Sequence, residues 1–182
     1  MSVSGLFLVV GPSGAGKTSL VQAMLTMLPH VRKGVTTTTR APRPGEVNGI
    51  DYNFVSPVEF AQLSRDGAFL ETDLAFGQFY GVPRSLLDPP GDLVLIVTVS
   101  GMLALKRWFP QAKTILVLPE STEQAVARIR TRSAPDEAER VRDLRAATVA
   151  DASAGFDVVI RNSEFSLALT QLASVFTSRP VA

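Results

Sequence analysis

A chain of 182 residues with 46% apolar and 19% charged residues has material for one buried core and too few charges for a disordered chain. Its net charge of +1 supplies no global field, so nucleic acid and acidic membrane surfaces are not expected as partners and any basic site must be local. With no cysteine there are no disulfides and no thiolate zinc sites, which suits a reducing, cytoplasmic compartment.

The chain opens on "MSVSGLFLVV", whose apolar run Leu6 to Val10 is too short for a secretory core and far short of the roughly 20 residues of a membrane span. It reads as a strand buried on both faces, as do "LVLIVTV" (93–99), "TILVL" (114–118) and "FDVVI" (156–160). Helices are expected over 17–28, ending at Pro29 and leaving His30 in a solvated loop, and over 101–109, ending at Pro110. Another opens at Ser121 with Gln124 in capping-box position, and two more span about 136–152 and 164–177. Strand and helix in alternation imply an α/β, three-layer core around a central parallel sheet, formed by residues 1–33 and 91–182.

Residues 34–90 break that rhythm with prolines, short mixed strands ("IDYNFV", "AFLETD", "QFYGV") and one short helix. The helix start, Ser56-Pro57-Val58-Glu59, combines an N-cap, a proline at the first helical position and a capping-box glutamate. This region is expected to be a small mixed α+β insertion, a flap on the core.

"GPSGAGKT", Gly11 to Thr18, fits G-x-x-x-x-G-K-[ST] at every fixed position and lies between a strand and a helix, where that motif must lie. Gly11, Gly14 and Gly16 let the loop turn its amides inward, with Pro12, Ser13 and Ala15 between them. The following helix adds the positive end of its dipole. Lys17 is placed to reach the β- and γ-phosphates of ATP, with Ser19 next along the helix, and Thr18 to offer its hydroxyl to Mg²⁺.

"TTTTRAPRPGEVNGIDY" (36–52) carries the complementary chemistry. Pro42 and Pro44 stiffen the backbone around Arg40 and Arg43, whose planar forks suit phosphate oxygens, and the phenols of Tyr52 and Tyr80 add donors. That is a pocket for a second phosphate facing the first.

These motifs, "GPSGAGKTSL", "TTTTRAPRPGEVNGIDYNFVSPVEF" and "FYG", together resemble guanylate kinase, densely over 6–81 and more loosely to the end. The resemblance implies a P-loop kinase core, a nucleoside-monophosphate flap at 34–90 and a helical lid at about 130–142. It implies Mg²⁺·ATP and GMP or dGMP as substrates, with no obligate protein partner. By position, Thr36 would stand near guanine O6, while Arg40, Arg43, Tyr52 and Tyr80 would hold the monophosphate. Glu71 would accept from guanine N1–H and N2–H₂, which adenine cannot match. Asn162 would lie beside the base of the donor nucleotide. In "ARIRTRSAPDEAERVRDLRAA", Arg128 and Arg132 match the family's R-x-x-x-R lid spacing, with Ser133 where a glycine is usual. On the next helix Arg142 is chosen over Arg140 or Arg145, although arginines so spaced also suit a solvated, ion-paired face.

Around the acceptor site the chain departs from the family at three positions. Val82 replaces the serine or threonine after "FYG", and Ile96 and Thr98 stand where the family has acids at a strand end. Two alternatives to a GMP kinase therefore stand beside it: a ribose 1,5-bisphosphate kinase-like enzyme on the same scaffold, and a non-catalytic guanylate-kinase-like binding module.

Overall fold

The structure, a computed structural model, describes residues 3–130, 141 and 155–177. The expected lid arginines Arg132 and Arg142 lie outside the described residues. Among those described, no helix is long and apolar enough to cross a membrane.

The central sheet runs in the order β2-β7-β1-β8-β9. Its strands are β1 (Val3–Val10), β2 (Val31–Lys33), β7 (Gly91–Ile96), β8 (Lys113–Pro119) and β9 (Val158–Asn162), and every pairing is parallel. Alternation along β1 divides the core in two. Phe7 and Val9 join Leu20, Met24, Leu172 and Phe176 from α1 (Lys17–Met27) and α5 (Phe165–Thr177). Leu6, Leu8 and Val10 face the other way, onto Met102 and Leu105 of α3 (Val99–Trp108). The unbroken apolar runs are thus explained: helices cover both faces.

Two boundaries differ from expectation. The strand expected to reach residue 99 ends at Ile96, because Thr98 caps α3 by accepting from the Gly101 N–H at 3.0 Å. No strand was expected at Val31–Lys33, where two cations interrupt any apolar run; pairing with β7 sets it. The start of α4 (Thr122–Arg130) follows expectation in part: Ser121 Oγ accepts from the Gln124 N–H at 3.2 Å, while the Gln124 amide turns to Glu120 instead of closing the box.

A second sheet, ordered β4-β3-β6-β5, is drawn entirely from residues within 34–90. It consists of β3 (Thr37–Thr38), β4 (Asn53–Phe54), β5 (Phe69–Ala75) and β6 (Gln78–Pro83). The strand expected from "IDYNFV" shrinks to Asn53–Phe54, because Ile50 and Asp51 turn back to donate to the Val47 carbonyl. The helix α2 (Pro57–Arg65) carries the full capping box: Glu59 N–H donates to Ser56 Oγ at 3.2 Å and Ser56 N–H to Glu59 Oε2 at 2.7 Å. Phe60 on its inner face stacks on Phe69 and Phe79, fastening the helix to this sheet.

Candidate active site

The loop between β1 and α1 has the geometry of a phosphate cradle. Gly11 and Gly14 take φ of 144° and 81°, values that L side chains rarely adopt. A Cβ on Gly14 would stand 2.6 Å from the Ala125 carbonyl oxygen, and one on Gly11 would overlap that of Val117 in β8. The Lys17 ammonium donates to the carbonyls of Gly11 at 2.6 Å and Pro12 at 2.8 Å, so it spans the loop mouth from the first turn of α1. Asn162 is buried at the end of β9 and donates to the Ala15 carbonyl at 2.9 Å. Its amide is thus engaged with the loop itself, a role the sequence did not suggest. Arg128 reaches back from α4 to the Gly14 carbonyl at 3.2 Å.

Thr18 and Ser19 line a cleft of about 470 Å³ that is also lined by Thr36, Arg43 and Tyr52. Loop-side and flap-side candidates therefore share one cavity. Lys33 and Ile96 line it too, so the strand end without an acid faces the same space.

On the flap, strand register brings the candidates onto one face. Thr38 pairs with Tyr80 in β6 and with Phe54 in β4; Tyr80 pairs with Asp73 in β5, and Val82 with Glu71. Directly opposed residues share a face, so Glu71, Asp73, Tyr80, Val82, Thr38 and Phe54 do as well. The Tyr52 and Tyr80 rings meet edge to face at 6.3 Å. Val82, 1% exposed, faces the core cluster of β1 and α3, so its methyls fill a packed wall.

Arg40 is 7% exposed and held rigidly. Its two terminal nitrogens donate to the two Glu46 carboxylate oxygens, each at 2.9 Å, and one also donates to the Ala41 carbonyl at 2.7 Å. Its guanidinium lies 5.3 Å from the Tyr52 ring centre and 5.6 Å from that of Phe54. Glu46 Oε2 also accepts from the Arg43 N–H at 2.7 Å, so one carboxylate sets both arginines. Burial works against the charge on each partner, yet their mutual hydrogen bonds prevail: the Arg40 pKa is raised and the Glu46 pKa lowered. Sequence reasoning gave Glu46 no role, although it closes the R-x-x-R-x-G-E run that carries the family resemblance. Lys33 was missed as well. Its ammonium donates to the Ile50 carbonyl at 3.0 Å, and burial lowers its pKa against the opposing pull of Asp51 and Glu46.

Glu71 has a different environment. Its Oε2 is buried and accepts no hydrogen bond among the described residues. Burial, and secondarily the charge of Asp73, push its carboxyl up to about 7. The other oxygen lies against the N-terminal turn of α3, 3.1 Å from where a Cβ on Gly101 would stand. A buried acceptor without a partner is costly in the unliganded protein and ready for a ligand that brings N–H groups.

Comparison with known proteins shows the family. The guanylate kinase family model matches residues 4–179. The chain is 42% identical to a guanylate kinase of Thiobacillus denitrificans, over 95% of this chain and 85% of that protein. It is 39% identical to one of Bordetella pertussis, over 95% and 83% of the two chains. The crystal structure of guanylate kinase from Anaplasma phagocytophilum superposes with a TM-score of 0.73 at 27% identity, covering 96% of this chain and 85% of that one. With a glycine cradle closed by Lys17 and a facing flap of arginine and tyrosine, the chain belongs to the guanylate kinase family of phosphotransferases.

Proposed function

We propose that the chain transfers the γ-phosphoryl group of ATP to GMP or dGMP, forming ADP and the nucleoside diphosphate. The observation that carries this reading is the single cleft lined by Thr18 and Ser19 from the loop side and by Thr36, Arg43 and Tyr52 from the flap. Two anions held there lie end to end. A phosphate oxygen of the acceptor attacks the γ-phosphorus in line; a bond forms to that oxygen as the bond to the bridging oxygen breaks and ADP leaves. The attacking oxygen is already ionised, so no general base is required.

What remains for the protein is alignment and charge. In this reading, residues 11–19 cradle the ATP phosphates, with amides of Gly11 to Gly16 turned inward and the Lys17 ammonium moving from its loop carbonyls to phosphate oxygens. Arg40, Arg43, Tyr52 and Tyr80 grip the acceptor phosphate. Thr36 and Glu71 read the base, the buried Glu71 oxygen taking the N1–H and N2–H of guanine. Arg128, with Arg132 and Arg142 of the lid, meets the charge on the moving phosphoryl group. Asn162 stabilises the cradle from behind, through Ala15.

Magnesium enters with ATP. No three carboxylates or histidines cluster among the described residues, which rules out an all-protein cage there. The exposed Thr18 hydroxyl at the cleft wall fits an ion that keeps most of its ligands as water and phosphate. Bound there, the ion would neutralise charge on the β- and γ-oxygens.

The test is ADP release from Mg²⁺·ATP against GMP, dGMP, AMP, UMP and ribose 1,5-bisphosphate. GMP or dGMP is expected to lead. A preference for the sugar would overturn the base-reading role of Glu71, and no turnover with any acceptor would favour a binding module.

A further inference from the structure

We propose that Asp73 is a second base-reading carboxylate, accepting a hydrogen bond from the guanine 2-amino group in place of the acid missing from the end of β7. The inference rests on the GMP reading above and extends it to a residue that no motif marks.

The argument begins at position 98. A threonine there has one hydrogen to donate, and its hydroxyl donates it to Asp73 Oδ2 at 2.5 Å. The Ser100 hydroxyl donates to the same oxygen at 2.7 Å. The strand end and the start of α3 thus present donors, and the carboxylate they hold comes from the flap. Negative charge has not left the start of α3; β5 now supplies it instead of β7. No described residue donates to Asp73 Oδ1, which leaves that oxygen as an available acceptor.

Asp73 also stands in register to act with Glu71. Two residues apart on β5, they project from the same face with Cα atoms about 7 Å apart. Both approach the first turn of α3, Glu71 at Gly101 and Asp73 at Thr98 and Ser100. Burial first, and then the charge of Asp73, raise the Glu71 carboxyl, which places the two acids within electrostatic reach. The guanine edge carries three hydrogens, one on N1 and two on N2. A single carboxylate takes two of them side by side, and the outer hydrogen of N2 needs another acceptor or water. Val82 has no polar atom and the Thr98 hydrogen is committed, so Asp73 is the acceptor that this wall offers. The two hydroxyls fix its rotamer before substrate arrives.

Inosine monophosphate lacks the 2-amino group and is otherwise GMP, so it isolates this contact. Asp73→Ala should lower kcat/KM for GMP by about 10- to 100-fold and that for inosine monophosphate by less than about 3-fold, with KM for ATP unchanged. Asp73→Asn keeps an oxygen for Thr98 and Ser100 but turns an N–H₂ toward the guanine amino group, so it should lose the GMP preference at least as fully in a protein of wild-type stability. Asp73→Ala/Thr98→Asp, which returns the acid to the strand end, should regain most of the GMP preference. If both nucleotides lose rate together in Asp73→Ala, Asp73 merely ties β5 to α3 and the proposal falls; it falls equally if neither changes. A wild-type protein inactive on GMP would sink the parent reading, whereas an active one whose variants keep the wild-type preference sinks only this one.

Discussion

Glu71→Gln should stabilise the unliganded protein while damaging its recognition of guanine. The buried Oε2 and its neighbour Asp73 raise the carboxyl from 4.5 to about 7, so the folded state resists ionisation that the unfolded chain permits. The folded protein therefore binds more protons than the unfolded one across that interval. Stability contributed by the neutral acid is fully present below about 4.5, is lost as pH rises, and is gone above about 7. Taken at face value the interval is worth about 3 kcal/mol; the side chain is only partly buried, so screening reduces this to about 1–2 kcal/mol. A neutral glutamine avoids the penalty. At pH 8 the variant should melt about 3–6 °C higher than wild type, and at pH 4.5 the two should coincide. The assay is thermal unfolding of both proteins across that range without nucleotide. Equal melting temperatures at pH 8, or a difference that grows toward acid, would refute the reasoning. Activity should move the opposite way: only the ionised form accepts from N1–H and N2–H side by side, so the wild-type advantage in kcat/KM for GMP should shrink about tenfold per unit below pH 7.

Lys17→Ala should reduce phosphoryl transfer by at least about 10³-fold in a chain that still folds, since the lysine is half-buried at the loop mouth, where its ammonium meets the Gly11 and Pro12 carbonyls; single-turnover ADP release measures the loss. Glu46→Ala removes the carboxylate that orients Arg40 and Arg43 together, and should raise KM for GMP about tenfold or more with little change in KM for ATP. The same pair should fail in acid: Glu46 titrates below 4.5 when folded, so its contribution holds above that value and disappears as pH falls through the lowered one, which a pH series of GMP binding would register. Gly14→Ala forces a side chain into φ 81° and against the Ala125 carbonyl, and should abolish ATP binding by titration while lowering stability by about 1–3 kcal/mol.

The legible and illegible parts of this chain differ in where their information lies. The cradle is readable because its geometry demands glycine at set places: Gly11 and Gly14 abut the backbones of β8 and α4, and no other residue fits. The core strands are readable because each is covered on both faces. By contrast β2 and β3 carry lysine, arginine and threonine, and they are strands only because β7 and β6 pair with them. The same holds for the site. Arg40, Arg43 and Glu71 carry a local signature, whereas Glu46, Lys33 and Asp73 draw their roles from partners 6, 17 and 25 residues away. Asn162 shows the converse: the family resemblance singles it out, but its amide is buried against Ala15, 147 residues away in the chain.

Register is what turns the flap from a collection of polar residues into a binding face. Thr38 sits opposite both Phe54 and Tyr80, Tyr80 opposite Asp73, and Val82 opposite Glu71, while the intervening Thr72, Leu74 and Phe79 are exposed. A slip of one residue in the β5–β6 hairpin would turn both carboxylates to solvent and bring Leu74 to face the first turn of α3. The turn at Phe76 and Gly77, with φ of 54° and 67°, guards against that slip, because its left-handed pair suits a two-residue hairpin between Ala75 and Gln78. Base recognition by Glu71 therefore depends on a turn that touches no substrate. Replacing Gly77 with valine, which tolerates φ of 67° poorly, should weaken GMP selection without altering a single residue of the cleft. Selection of GMP over inosine monophosphate in that variant is the measurement, and an undiminished preference would mean that the strand pairings alone hold the register.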